Sequence, residues 1–155
     1  MAFISRRSFL SFAFILSTAN LFAACSDDGT GPAELQPLVG TWRAQVLTLT
    51  NTANPETVVR LIEEGATFTL SVLSNGQYQA VLEIFGQSNP ELGTISISGN
   101  QVTLTPVNPP GPTTNGTWRF QGDGLILDGD TEFDFNLDGT NEDATVHFEL
   151  TRIEL

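Results

Sequence analysis

From Leu38 onward, apolar and polar residues alternate with a period of two, and turn residues interrupt the alternation at short intervals. A period of two sends successive side chains to opposite faces of a strand, so each such run predicts a β-strand with one buried face. Phe68, Leu70 and Val72 alternate with Thr67, Thr69 and Ser71, and Asn75-Gly76 then predicts a two-residue hairpin turn. Tyr78, Ala80, Leu82 and Ile84 carry the return strand. Ile95 and Ile97 precede a second turn pair, Gly99-Asn100, after which Val102 and Leu104 continue. The proline-rich stretch from Val107 to Pro112 cannot be a central strand and reads as a connection. Trp118 with Phe120, Leu125 with Leu127, the set Phe133, Phe135 and Leu137, and the set Val146, Phe148 and Leu150 complete the series. The pattern predicts an all-β chain, an antiparallel up-and-down meander of about 8–10 strands. Between Asn54 and Gly65 the spacing suits both a strand and a turn of helix, packed on the end of the sheet.

The opening residues have a different character. Ser5-Arg-Arg-Ser-Phe-Leu10 leads into an apolar run from Phe9 to Ala24, broken only by Ser11, Ser17, Thr18 and Asn20. A cationic end before a short, interrupted apolar stretch is the pattern of an export signal rather than of a spanning helix. It resembles the twin-arginine (Tat) signal S-R-R-x-F-L-K, with Ser11 in place of the lysine; an ordinary secretory signal that carries two arginines is the alternative. Leu21-Phe22-Ala23-Ala24-Cys25 is similar to the lipobox of bacterial lipoproteins, with Phe22 where leucine is usual. That resemblance implies removal of residues 1–24 as a signal peptide, palmitate-type acylation of Cys25, and a membrane anchor at that residue. Buried acyl chains contribute about 0.8 kcal/mol per methylene, so several of them hold a protein to a bilayer without a transmembrane segment. A free thiol at Cys25 is the alternative. Ser26 replaces the aspartate that retains enteric lipoproteins in the inner membrane, which implies the outer membrane, facing the periplasm or the cell surface. Residues 25–37 are polar and rich in Gly and Pro and read as a flexible tether, leaving 38–155 as one β-barrel domain.

Charge narrows the partners. The net charge of -12 comes from 18 acids against six arginines with no lysine, and removing Arg6 and Arg7 with the leader leaves 18 against four, or -14. Such a field repels phosphates, so nucleic acid is excluded, as is membrane binding through basic patches. A single cysteine excludes a disulfide framework and a multi-cysteine metal site.

Whether the meander closes decides what it can hold. Leu38-Val39-Gly40-Thr41-Trp42 resembles the G-x-W opening of lipocalins and the related calycin barrels, and Arg152 stands at the close of the last strand. The resemblance implies a lipocalin-like barrel in which Trp42 packs on Arg152 and closes one end. It also implies a non-catalytic carrier of a small apolar ligand, held among Phe68, Leu82, Trp118, Phe133, Phe135 and Phe148. Parity agrees with the pairing: Arg152 shares a face with Val146, Phe148 and Leu150, and Trp42 shares one with Ala44 and Val46. A phase switch at Val46-Leu47 would turn Leu47 and Leu49 inward, as a bulge does. A desolvated Arg152 on the indole would contribute on the order of 2 kcal/mol. The alternatives are an open β-sandwich or half-barrel, and a barrel whose inward residues simply fill it, leaving a structural or protein-interaction module of the envelope.

Two constellations bear on chemistry. Asp134-Phe-Asn136-Leu-Asp138-Gly139-Thr140-Asn141-Glu142 matches the start of the calcium-loop pattern D-x-[DN]-x-[DN]-G, with Asp134, Asn136, Asp138, Thr140 and Glu142 as candidate ligands and no cofactor otherwise implied. Thr145 stands where a bidentate glutamate belongs. The competing reading is a strand through Phe133, Phe135 and Leu137, which would hold Asp134 and Asp138 about 13 Å apart, followed by a polar hairpin loop. The only histidine, His147, falls on the outward parity beside Thr145 and Glu149, with no nucleophile motif assigned to it, so the expectation is that the protein is not an enzyme.

Overall fold

The computed structural model describes residues 33–153; the leader, Cys25 and the first part of the tether lie outside the described residues. Nine antiparallel strands follow a short 3-10 helix at Ala33–Leu38: β1 (Gly40–Asn51), β2 (Val58–Arg60), β3 (Thr67–Val72), β4 (Gln77–Ile84), β5 (Gln87–Ser98), β6 (Gln101–Asn108), β7 (Thr114–Gln121), β8 (Gly124–Phe133) and β9 (Glu142–Ile153). Each strand from β3 to β8 pairs with the next, and β9 returns to pair with β1 along most of its length. β1, paired in turn with β3, thus closes an eight-strand barrel in meander order, the geometry expected of a lipocalin-like barrel. Closure removes the free edges that an open sandwich or half-barrel would leave. β2 continues the line of β3: Gly40–Arg43 of β1 pair with β3, and Thr48–Thr50 pair with β2.

Local chemistry explains the elements. Trp42 and Ala44 face inward, a bulge at Gln45 shifts the register against β9, and Leu47 and Leu49 then face inward as well. The phase switch therefore falls one residue earlier than the apolar pattern suggests, and Val46 is not one of the inward set. The ambiguous stretch takes both of its forms, a short strand and then a hydrogen-bonded turn from Leu61 to Gly65 that buries Leu61. Asn75-Gly76 does not make a two-residue turn. Leu73 donates its N–H to Gln77, and Gly76 takes φ +82° at the end of a three-residue loop, a type I turn completed by a left-handed glycine. The two-residue turn with both φ positive falls instead at Phe85 and Gly86, between β4 and β5.

The interior divides into two apolar clusters. At one end Leu35 and Leu38 from the 3-10 helix pack with Trp42, Leu70, Val72, Tyr78, Ile95, Val102, Leu125 and Leu150. Leu35 lies within the stretch read from sequence as tether, yet it is 1% exposed, so the packed body begins before Leu38. At the other end, the mouth, Leu47, Leu49, Leu61 and Ala66 form the second cluster. Among the described residues no helix is long and apolar enough to cross a membrane.

Candidate functional site

The closed end is held by Trp42 and Arg152, directly opposite each other across β1 and β9. The guanidinium carbon stands 4.3 Å from the centre of the indole. Its two terminal nitrogens donate to the carbonyls of Val39 and Pro37 at 2.6 and 3.1 Å, while the indole N–H donates to Leu38 at 2.9 Å. Gly40 sits at φ +134°, and a Cβ there would lie 2.5 Å from Arg152 Nη1, so glycine leaves room for the guanidinium. Arg152 is exposed rather than desolvated. Its interaction with the ring is accordingly of the exposed kind, about 0.5–1 kcal/mol, below the figure expected for a buried pair.

Five of the six residues assigned to a ligand meet at the mouth. Phe68, Leu82, Phe133, Phe135 and Phe148 pack half-buried against the second cluster, with the Phe68 and Phe148 rings 4.8 Å apart and those of Phe133 and Phe135 5.1 Å apart and edge-on. Trp118 does not join them. It packs on the first cluster, donates its indole N–H to Gly99 at 3.0 Å, and meets Phe120 edge-on at 5.5 Å. Two clefts, of about 450 and 440 Å³, open on the outer wall of the barrel, one beside Arg43, Thr69 and Val81, the other beside Thr117, Asp128 and His147. None of the six residues lines either cleft.

The acidic segment is a wound loop, not a strand. β8 stops at Phe133, Leu137 turns to φ +60° and is 51% exposed, and the alternation that would have put it inward breaks there. Asp134 accepts from the N–H groups of Asp138 and Gly139 at 3.1 and 2.8 Å, which removes the 13 Å separation expected of a strand. Asn136 and Asp138 accept from Asp138 and Thr140 N–H, and Glu142 accepts from Phe135 N–H and the Asn136 amide. Each side chain named as a calcium ligand through its own oxygens, Asp134, Asn136, Asp138 and Glu142, thus accepts at least one hydrogen bond within the loop. Among the described residues no group of three or more His, Cys, Asp or Glu is placed to hold a metal ion.

Two polar arrangements escape a reading by sequence. On the outer wall Asp128 bridges Arg119 and His147, with Oδ2 2.6 Å from Arg119 Nη1 and Oδ1 2.5 Å from His147 Nδ1; Glu149 lies 3.4 Å from Nε2. Burial pulls the imidazole pKa down, but the hydrogen bonds and charges of Asp128 and Glu149 outweigh it and leave it raised. Burial likewise pushes Asp128 up, and His147 and Arg119 outweigh that, leaving it lowered. Parity alone put His147 outside; the partnership follows from the pairing of Asp128 with His147 across β8 and β9. Inside the barrel, buried Tyr78 donates its hydroxyl to Glu91 at 2.6 Å, and burial, that bond and the carboxylate charge all raise the phenol pKa. Its ring crosses Gly93 on the neighbouring strand, where any side chain would collide with it. The described residues therefore offer a closed barrel, an apolar mouth in which aromatic rings pack on one another, and a charged outer network. No family model matches the chain, and no curated protein matches it.

Proposed function

We propose that the protein is a non-catalytic envelope lipoprotein, exported through its twin-arginine-type leader, anchored to the outer membrane through acylated Cys25, and acting as a protein-interaction module built on a filled lipocalin-like barrel. The observation that carries the interaction reading is the contact of Phe68 with Phe148 at 4.8 Å, backed by Leu61 from the β2–β3 turn: the side chains that would line a carrier's cavity are spent on one another. The leader and lipobox residues carry the export and anchoring part of the reading.

A second reading, binding of a small apolar ligand as a carrier, keeps one point of support. Phe68, Phe133, Phe135 and Phe148 are half-buried rather than buried, so solvent reaches the mouth from outside. A fluorescent fatty acid titrated into the full chain separates the two. Saturable one-to-one binding that is lost in Phe148→Ala establishes the carrier; no saturable binding leaves the interaction module. For the anchor, labelled palmitate is expected to enter the wild type and not Cys25→Ala, and label retained by the variant ends that part of the reading.

A further inference from the structure

Resting on the interaction reading, we infer that the mouth is the docking face, and that its partner is a protein surface carrying apolar sockets within a basic rim. The described residues contain just two non-glycine residues at positive φ, Phe85 at +52° and Leu137 at +60°. Both are at mouth loops, and both are exposed, Phe85 by 76% and Leu137 by 51%. L-residues disfavour this backbone region, where glycine and asparagine are tolerated, and a side chain that protrudes into water returns little packing energy to the fold. The positions thus hold residues that the fold itself would not choose, a combination that marks functional sites. Val107, 61% exposed near the end of β6, adds a third apolar tip at the same end.

Charge defines what these tips meet. Glu56, Glu63, Glu64, Glu132, Asp138 and Asp143 are all exposed around the mouth, and the one arginine of that end among the described residues, Arg60, stands 3.9 Å from Glu63. A rim of that sign steers a cationic surface into place and rejects an anionic one. A second copy docking mouth to mouth would set these carboxylates against each other, and an anionic lipid surface would be repelled in the same way. The opposite end is covered by the 3-10 helix Ala33–Leu38, so the mouth is the end that this helix leaves open.

The full chain is titrated with a synthetic peptide of alternating leucine and arginine and with its leucine–glutamate counterpart, followed by fluorescence anisotropy. The expected result is binding of the arginine peptide alone, weakened at least tenfold in Phe85→Asn/Leu137→Asn and unchanged in Leu73→Asn, an exposed leucine at the closed end. Because asparagine suits positive φ, the double variant should melt no lower than the wild type, which separates lost docking from lost fold. Equal affinity of wild type and double variant overturns the mouth as the docking face while leaving the interaction module. Binding to phosphatidylglycerol vesicles in place of the peptide overturns the choice of partner. Binding of neither peptide, together with saturable uptake of the fluorescent fatty acid, overturns the interaction reading itself.

Discussion

The guanidinium carbon of Arg152 stands over Trp42, 4.3 Å from the ring centre, and the same side chain ties the last strand to the carbonyls of Val39 and Pro37 ahead of the first. One side chain therefore joins β9, β1 and the 3-10 helix. Arg152→Ala removes the stacking and both hydrogen bonds and is expected to cost about 1–2 kcal/mol, discounted for exposure. Arg152→Lys keeps the charge but not the planar fork, and should recover less than half of the loss. Denaturant unfolding of the two variants measures both.

Gly93 leaves the space that the Tyr78 ring occupies. A Cβ at residue 93 would stand 2.6 Å from Tyr78 Cε1 and would collide with the backbone oxygen of Thr105, which cannot swing aside. Gly93→Ala should destabilise by about 2–3 kcal/mol, a cost of overpacking, seen as a lowered denaturation midpoint.

Tyr78 is the chain's single tyrosine, so its ionisation can be followed without interference. Its phenol is buried and donates to Glu91, and both effects favour the protonated form. Phenolate absorbance should rise only at a pH above that of free tyrosine, and Glu91→Gln should bring the transition back toward the ordinary value while the barrel stays folded.

The outer network predicts a pH window. The imidazole pKa of His147 is raised in the fold, so its contribution is complete below its ordinary value of 6.5 and is lost as pH rises through the folded value. That of Asp128 is lowered, so its contribution is present above 3.8 and is lost as pH falls through the folded value. The network is strongest between those limits. His147→Gln should therefore lower the melting temperature more in mildly acidic buffer than in alkaline buffer. The effect is small, within the 0.2–1 kcal/mol or so of exposed ion pairs.

Asp134 holds the β8–β9 loop through two backbone N–H groups. Asp134→Ala should cost about 1–2 kcal/mol. The loss should be present in chelator as well as in millimolar calcium, because the bonds it breaks are internal to the loop. A loss confined to calcium-containing buffer would assign the carboxylate to the ion instead.

Much of the fold was legible because a half-buried strand writes its two faces directly into the sequence. The alternation around Phe68, Tyr78, Ile95, Leu125 and Phe148 placed the strands, and the parity of Arg152 with Leu150 put it on the face that meets Trp42. The limits of that signal are equally physical. Leu137 extends the alternation of Phe133 and Phe135, but Asp134 and Asn136 offer side-chain acceptors to the backbone and wind the chain out of the strand. Leu35 lies in a polar, proline-flanked stretch with no period, and only its place under the barrel end shows it to be core. Trp118 shares the inward parity of the mouth residues yet sits at the other end, since parity fixes a face and not a height along the barrel.

By itself the sequence determined most of the strands, most of their inward residues and the acidic charge, because each is written in neighbouring positions along the chain. The tertiary structure alone decided that β9 meets β1, that Asp128 holds His147, that Phe68 packs on Phe148, and that Phe85 and Leu137 share one rim. Those relationships join residues far apart in the chain, and their register depends on bulges and loops whose geometry is set only when the barrel closes.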